Sequence, residues 1–262
     1  MLRQIARAVV LGLLVLVCTS PCGFAQEAAP STQTPAERPA NNDPDAKPVE
    51  DGHDRPTTYP RIRFGGTGPE VREPGGEARK RKARVYLLDV SDAMAASISM
   101  DNAEVTRLER MVSEMSKSLD SLAKRRDLCF NVVTFGKVQD LAGGGEPWLS
   151  TPDNVQKARD WVKKLQSGGA GDLHAMLKAC FEQMPESATL MVGGLPGTPE
   201  GVAAEELARH ASAGEYIIAK VKEWRAAGKN TTLDITGIGL SEAERDYYKR
   251  LAQAAGGTYL DS

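Results

Sequence analysis

Residues 84–90, RVYLLDV, constrain the fold more than any other stretch of the chain. A near-continuous apolar run that breaks off at an aspartate has no polar face to turn toward water. It reads as a central strand covered on both sides. LCFNVVTFG (128–136) is a second run of this kind, and ATLMVGG (188–194), TTLDITGIG (231–239) and TYLDS (258–262) read as further strands. Between them the apolar spacing changes to three or four residues. Val105, Leu108, Val112, Met115, Leu119 and Leu122 form one helical face, and Val155, Ala158, Val162 and Leu165 form another. Thr151 followed by Pro152 predicts a helix start, and Ser241 with Glu244 predicts a capping box. Residues 168–184 and 204–228 read as two more helices, the latter long and continuous. KVQDLAGGGEPWL (137–149) reads as an exposed hairpin or short edge strand, broken by its glycines and Pro147. Strands alternating with helices predict an α/β fold: a doubly wound, mostly parallel sheet with helices on both faces.

The folded part does not begin at the N-terminus. Arg3 and Arg7 precede an apolar run from Ala8 to Cys18, and Gly23-Phe24-Ala25 follows. This is the layout of a secretory signal peptide over residues 1–25, so a secreted, periplasmic or cell-envelope location is expected. Contact with a membrane is expected only if that segment stays uncleaved. Residues 26–80 are rich in proline and nearly free of large aliphatic side chains. Such a linker cannot bury enough apolar surface to offset its ordering entropy, and a disordered tail is expected. It ends in RKRKAR (79–84), the solvated lead-in to the first strand. The formal net charge of −2 gives no global reason to expect nucleic acid as a partner. After cleavage Cys129 and Cys180 are the remaining cysteines. In an oxidising compartment they form either a bridge or two buried thiols, and the sequence leaves both readings open.

From about residue 84 to 262 the order of elements resembles the von Willebrand factor type A (vWA) domain family. LLDVS is similar to that family's first strand and its D-x-S-x-S turn, FNVVTFG to its second strand, and LAQAAGGTYLDS to its closing helix and strand. The resemblance implies a metal-ion-dependent adhesion site on the upper edge of the sheet. There three loops give a hard divalent cation its oxygen ligands: an Asp and two Ser, then a Thr, then an Asp. In this chain Asp89 and Ser91 match. The second serine position is Ala93, the threonine falls at Ala170 or Gly171, and Gly193 stands where the third-loop aspartate belongs. Two of five ligands remain, too few for a tight site. No cofactor is therefore expected, the alternative being weak Mg, Mn or Ca binding at Asp89 and Ser91, rebuilt with Asp92 or Asp172. Asp89 has a structural reading as well: a carboxylate at a strand end accepts hydrogen bonds from N–H groups of its own loop and of the next helix.

Other chemistry finds little support. His53, His174 and His210 have no second histidine or cysteine pair at metal-ligand spacing, and the two on helices read as surface or half-buried. No nucleophile elbow, phosphate loop or dinucleotide fingerprint is present. Trp148, Trp161 and Trp224 read as packing residues. The sequence therefore predicts a non-catalytic interaction module for an extracytoplasmic protein partner. Its working surface would comprise the loops 91–100, 167–172 and 193–200, with Asp89, Ser91, Asp92, Asp172 and Thr198 as candidate contacts. The sequence ends just after its last strand, so the sliding helix of affinity-switching family members has no counterpart. Binding without a large shape change is expected.

Overall fold

The structure, a computed structural model, describes residues 82–100, 103–125, 127–144 and 146–262. The expected signal peptide (1–25), the linker (26–80) and His53 lie outside the described residues. The strands are β1 (Lys82–Asp89), β2 (Ser97–Met100), β3 (Ala103–Thr106), β4 (Leu128–Phe135), β5 (Gln139–Asp140), β6 (Trp148–Leu149), β7 (Ser187–Val192), β8 (Thr232–Gly237) and β9 (Tyr259–Asp261). The helices are α1 (Arg107–Leu122), α2 (Pro152–Val162), α3 (Leu173–Gln183), α4 (Ala204–Leu207), α5 (Ala213–Ala226) and α6 (Glu242–Ala254), with a 3-10 turn at Asp92–Ala95.

The main sheet runs β5-β4-β1-β7-β8-β9. Five of its strands are parallel, and the two-residue strands β5 and β6 pair antiparallel along the outer edge of β4. The expected α/β architecture is the observed one. β1 lies at its centre because its side chains are buried on both faces. Val85 and Leu87 face α3, α5 and α6, while Tyr86 and Leu88 face α1 and α2. Each such buried aliphatic or aromatic side chain contributes roughly 1.5–3 kcal/mol. The helix starts follow the local signals. Thr151 accepts from Asn154 N at 3.3 Å, and Ser241 and Glu244 form a reciprocal capping box.

Two expectations need correction. The first helix does not include Val105: β2 (Ser97–Met100) pairs antiparallel with β3 (Ala103–Thr106), and α1 begins at Arg107. The reason is a capping box. Thr106 N donates to Glu109 Oε2 at 2.7 Å, and Glu109 N donates to Thr106 Oγ1 at 3.1 Å. The stretch 204–228 is likewise not one helix. Ser212 caps α5 by accepting from Glu215 N at 3.2 Å, and this ends the short α4 well before it.

Cys129 and Cys180 are both buried, and no disulfide joins them. Burial pushes the Cys180 thiol up to about 12, so it packs as a small apolar side chain with almost no thiolate.

His174 is not the surface or half-buried residue the sequence suggested. It is 8% exposed on α3, with its ring 5.2 Å from Tyr216 and 5.8 Å from Trp224. Burial lowers its pKa. Asp172 and Glu206 oppose that shift, while Lys178 and Lys220 reinforce it. The unfolded chain therefore takes up the proton first as pH falls. Stability is full above the ordinary histidine value of about 6.5 and declines as pH drops through the lowered folded value. Urea midpoints should thus fall between pH 7 and pH 5, and His174→Phe should flatten that dependence. A midpoint equally pH-dependent in the variant would remove His174 as the cause.

Candidate functional site

Parallel strands deliver their C-terminal ends to one edge, where β1 places Asp89, buried at 4% exposure. Asp89 Oδ1 accepts from Ser91 N at 2.8 Å, the Ser91 hydroxyl bonds the same carboxylate, and Oδ2 accepts from Gly193 N at 3.3 Å. The bond within its own loop is the one expected. The second amide comes from the loop after β7 rather than from the next helix. That helix contributes a side chain instead: Arg107, at the start of α1, donates through Nη1 to Gly193 O and through Nη2 to Gly239 O at 2.9 Å. Burial pushes the Asp89 carboxyl above its usual range. The donors at Ser91 and Gly193 and the Arg107 charge pull against that shift without cancelling it.

The three loops are bonded to one another. Asp92 N donates to Gly169 O at 3.1 Å, and Gly169 N donates back to Asp92 Oδ1 at 3.2 Å. Gly168 N donates to Val90 O at 2.7 Å, and Tyr248 Oη donates to Gly194 O at 2.6 Å. Asp172 caps α3 by accepting from Ala175 N at 3.0 Å, and its other oxygen accepts from Glu200 N at 3.1 Å. Asp92 and Asp172 thus hold loops together. Thr198 is exposed on the third loop. Gly136, at φ +100°, lets β4's exit pass so close that a Cβ there would lie 2.7 Å from Ser91 N.

The space a ligand side chain on the third loop would need is filled. A Cβ on Gly193 would lie 2.3 Å from Met94 Sδ and 3.1 Å from Arg107 Cδ. Met94, fully buried, reaches this position from the 3-10 turn. A Cβ on Gly194 would in turn lie 3.1 Å from that of Ala93. On the second loop, a Cβ on Gly171 would sit 3.5 Å from Ser91 Cβ, which makes Gly171 rather than Ala170 the position facing the first loop. Among the described residues, no group of three or more His, Cys, Asp or Glu side chains is placed to share a metal ion.

No family profile matches the sequence, and no curated protein matches it. Solved structures do. A single-substitution variant of the PilB minor pilin from Streptococcus sanguinis superposes with a TM-score of 0.50 at 12% identity, over 70% of this chain and 58% of that one. The three N-terminal domains of the type V pili tip protein Mfa5 from Porphyromonas gingivalis match at 0.50 and 9% identity, over 68% and 46%. A von Willebrand factor type A structure from Catenulispora acidiphila matches at 0.45 and 21%, over 71% and 39%. The chain has the von Willebrand factor type A fold.

On this edge Asp89 and Ser91, the two residues that match the family's first-loop pattern in sequence, are bonded to each other. Several residues of this edge escaped the sequence reading. Met94 fell inside a stretch read as loop, and Arg107 inside a helix read only for its apolar face. Leu195, 58% exposed on the third loop, carried a local signal: a leucine between Gly194 and Pro196, where no strand or helix could bury it.

Proposed function

We propose that this protein is a secreted, non-catalytic interaction module that binds a protein partner through the upper edge of its vWA fold without a metal ion. The observation that carries this reading is the occupied centre of that edge. Both Asp89 oxygens accept amide hydrogen bonds, Met94 takes up the space a third-loop side chain would need, and the Arg107 guanidinium, bonded to Gly193 O, already supplies positive charge to Asp89. A divalent cation would have to displace all three, with one carboxylate to attract it. What remains for a partner is a rigid rim: Leu195 as an apolar anchor, with Asp92, Thr198 and Glu104 exposed on the same edge. Such a rim suits a partner surface of apolar and basic character, the reverse of the acidic group that a metal-bearing adhesion site captures.

The fold shared with a minor pilin and a pili tip protein supports a role outside the cell, as does the signal-peptide layout of residues 1–25. Among the described residues no helix is long and apolar enough to cross a membrane. Calorimetry with magnesium, manganese and calcium should show no site tighter than about 1 mM, which corresponds to roughly −4 kcal/mol. Capture of a partner from the native envelope fraction should survive EDTA and be lost in Leu195→Asp. A micromolar cation signal that vanishes in Asp89→Ala would overturn metal independence. Capture indifferent to Leu195→Asp would move the surface elsewhere.

A further inference from the structure

The opposite edge of the sheet gathers charge of the other sign. Five of the six residues in RKRKAR (79–84) are cationic, and Lys124, Arg125 and Arg126 form a second run 40 residues later. Parallel pairing of β1 with β4 sets Lys82 beside Leu128, three residues after Arg125. The chain as a whole carries a net charge of −2, so this concentration is not a by-product of a basic protein.

At this end of the sheet there is a recess of about 240 Å³, lined by Lys82, Arg84, Arg125, Glu186, Ser187 and Thr232 among others. Its cations are graded in depth. Lys82 and Arg125 are exposed at the mouth, whereas Arg84 is half-buried. Arg84 is also oriented in advance: its Nε donates to Ser187 Oγ at 3.2 Å, and its guanidinium bonds the Tyr86 hydroxyl. Because Ser187 Oγ accepts that bond, its own hydrogen can be offered to a ligand, as can that of Thr232. The acids present, Glu186 with Lys82 at 2.6 Å and Asp127 with Arg125 at 3.2 Å, form exposed, screened pairs that a multivalent anion can displace.

We propose that this recess binds the phosphate group of a phosphate-bearing polyanion. A planar guanidinium fork held at depth, hydroxyl donors beside it and cations at the mouth match a tetrahedral dianionic group better than a carboxylate or a flat apolar ligand. The recess is smaller than a pocket for a whole drug-sized molecule, which run to about 300 Å³ and more, so one group enters while the rest of the ligand stays outside, near the exposed Lys82 and Arg125.

Tripolyphosphate titrated into the ¹⁵N-labelled protein is the test. The amides of Lys82, Ala83, Arg84, Ser187 and Thr232 should shift and saturate, with affinity falling as salt rises. Lys82→Gln/Arg125→Gln, both at exposed positions, should keep the melting temperature and weaken binding by about tenfold or more, the effect of losing charge-assisted hydrogen bonds. Arg84→Lys, which keeps the charge and loses the fork, should weaken it as well. The proposal is overturned by the absence of saturable shifts at these residues, or by equal affinity in the double variant. Binding to phosphatidylglycerol vesicles without a response to tripolyphosphate would also overturn it, since that is the behaviour of a flat charged surface with no phosphate site.

Discussion

Asp89→Ala should destabilise the domain by about 3–5 kcal/mol, the range for removing one partner of a buried charged network. The carboxylate holds the Ser91 and Gly193 amides and faces the Arg107 charge. Without it two N–H groups lose their acceptor, each at a cost of about 1–3 kcal/mol, and the Arg107 guanidinium loses a counter-charge. Asp89→Asn should cost less, because its one carbonyl oxygen still serves one amide. The two forms also differ with pH. The folded state raises the Asp89 pKa, so the folded protein holds this proton to higher pH than the unfolded chain does. The residue's contribution is therefore largest at acidic pH and declines as pH rises from about 4 through the raised folded value. Asparagine has no such titration, so the stability gap between wild type and Asp89→Asn should narrow as pH rises through that window. Urea denaturation at several pH values measures both effects. A loss below about 1 kcal/mol in the alanine variant, the size of a single ordinary hydrogen bond, would mean the carboxylate does not organise these loops.

Gly193→Asp, which restores the acid that the vWA adhesion pattern places there, should destabilise by about 3 kcal/mol and recover no cation site. Its Cβ would meet Met94 Sδ at 2.3 Å and Arg107 Cδ at 3.1 Å. A methionine tip can swing aside in an open structure, but Met94 is fully buried, and overpacking a filled site costs roughly 1–3 kcal/mol. A second carboxylate beside Asp89 adds to that cost, and Arg107 offsets it only in part. Met94→Ala combined with Gly193→Asp should then lose less than the sum of the single changes, by at least about 1 kcal/mol, because the cavity of one receives the side chain of the other. Only the double variant leaves room for a cation, so a magnesium response should be sought there. Strictly additive losses would show that Met94 does not fill the site.

These two variants also mark how far the sequence could be read. The alternation of two-sided apolar strands with helical faces was legible because backbone periodicity is a local property: RVYLLDV can satisfy its side chains only in the middle of a covered sheet. The caps at Thr151 and Ser241 were legible for the same reason, since partner and cap lie three residues apart. That Ala93 and Gly193 offer no side-chain oxygen was legible too, as this holds in any fold. The capping box at Thr106–Glu109 and the cap at Ser212 were local signals as well, but there an apolar period running through them suggested continuous helices. What took the place of the absent ligands was decided by the tertiary structure alone. Met94 and Gly193 are 99 residues apart in the chain, Arg107 and Gly239 are 132 apart, and Lys82 and Arg125 line one recess because β1 pairs with β4. No period or spacing encodes such neighbours. Sheet order and register bring them within van der Waals or hydrogen-bond reach, and only then do size and charge determine which side chain fills the space.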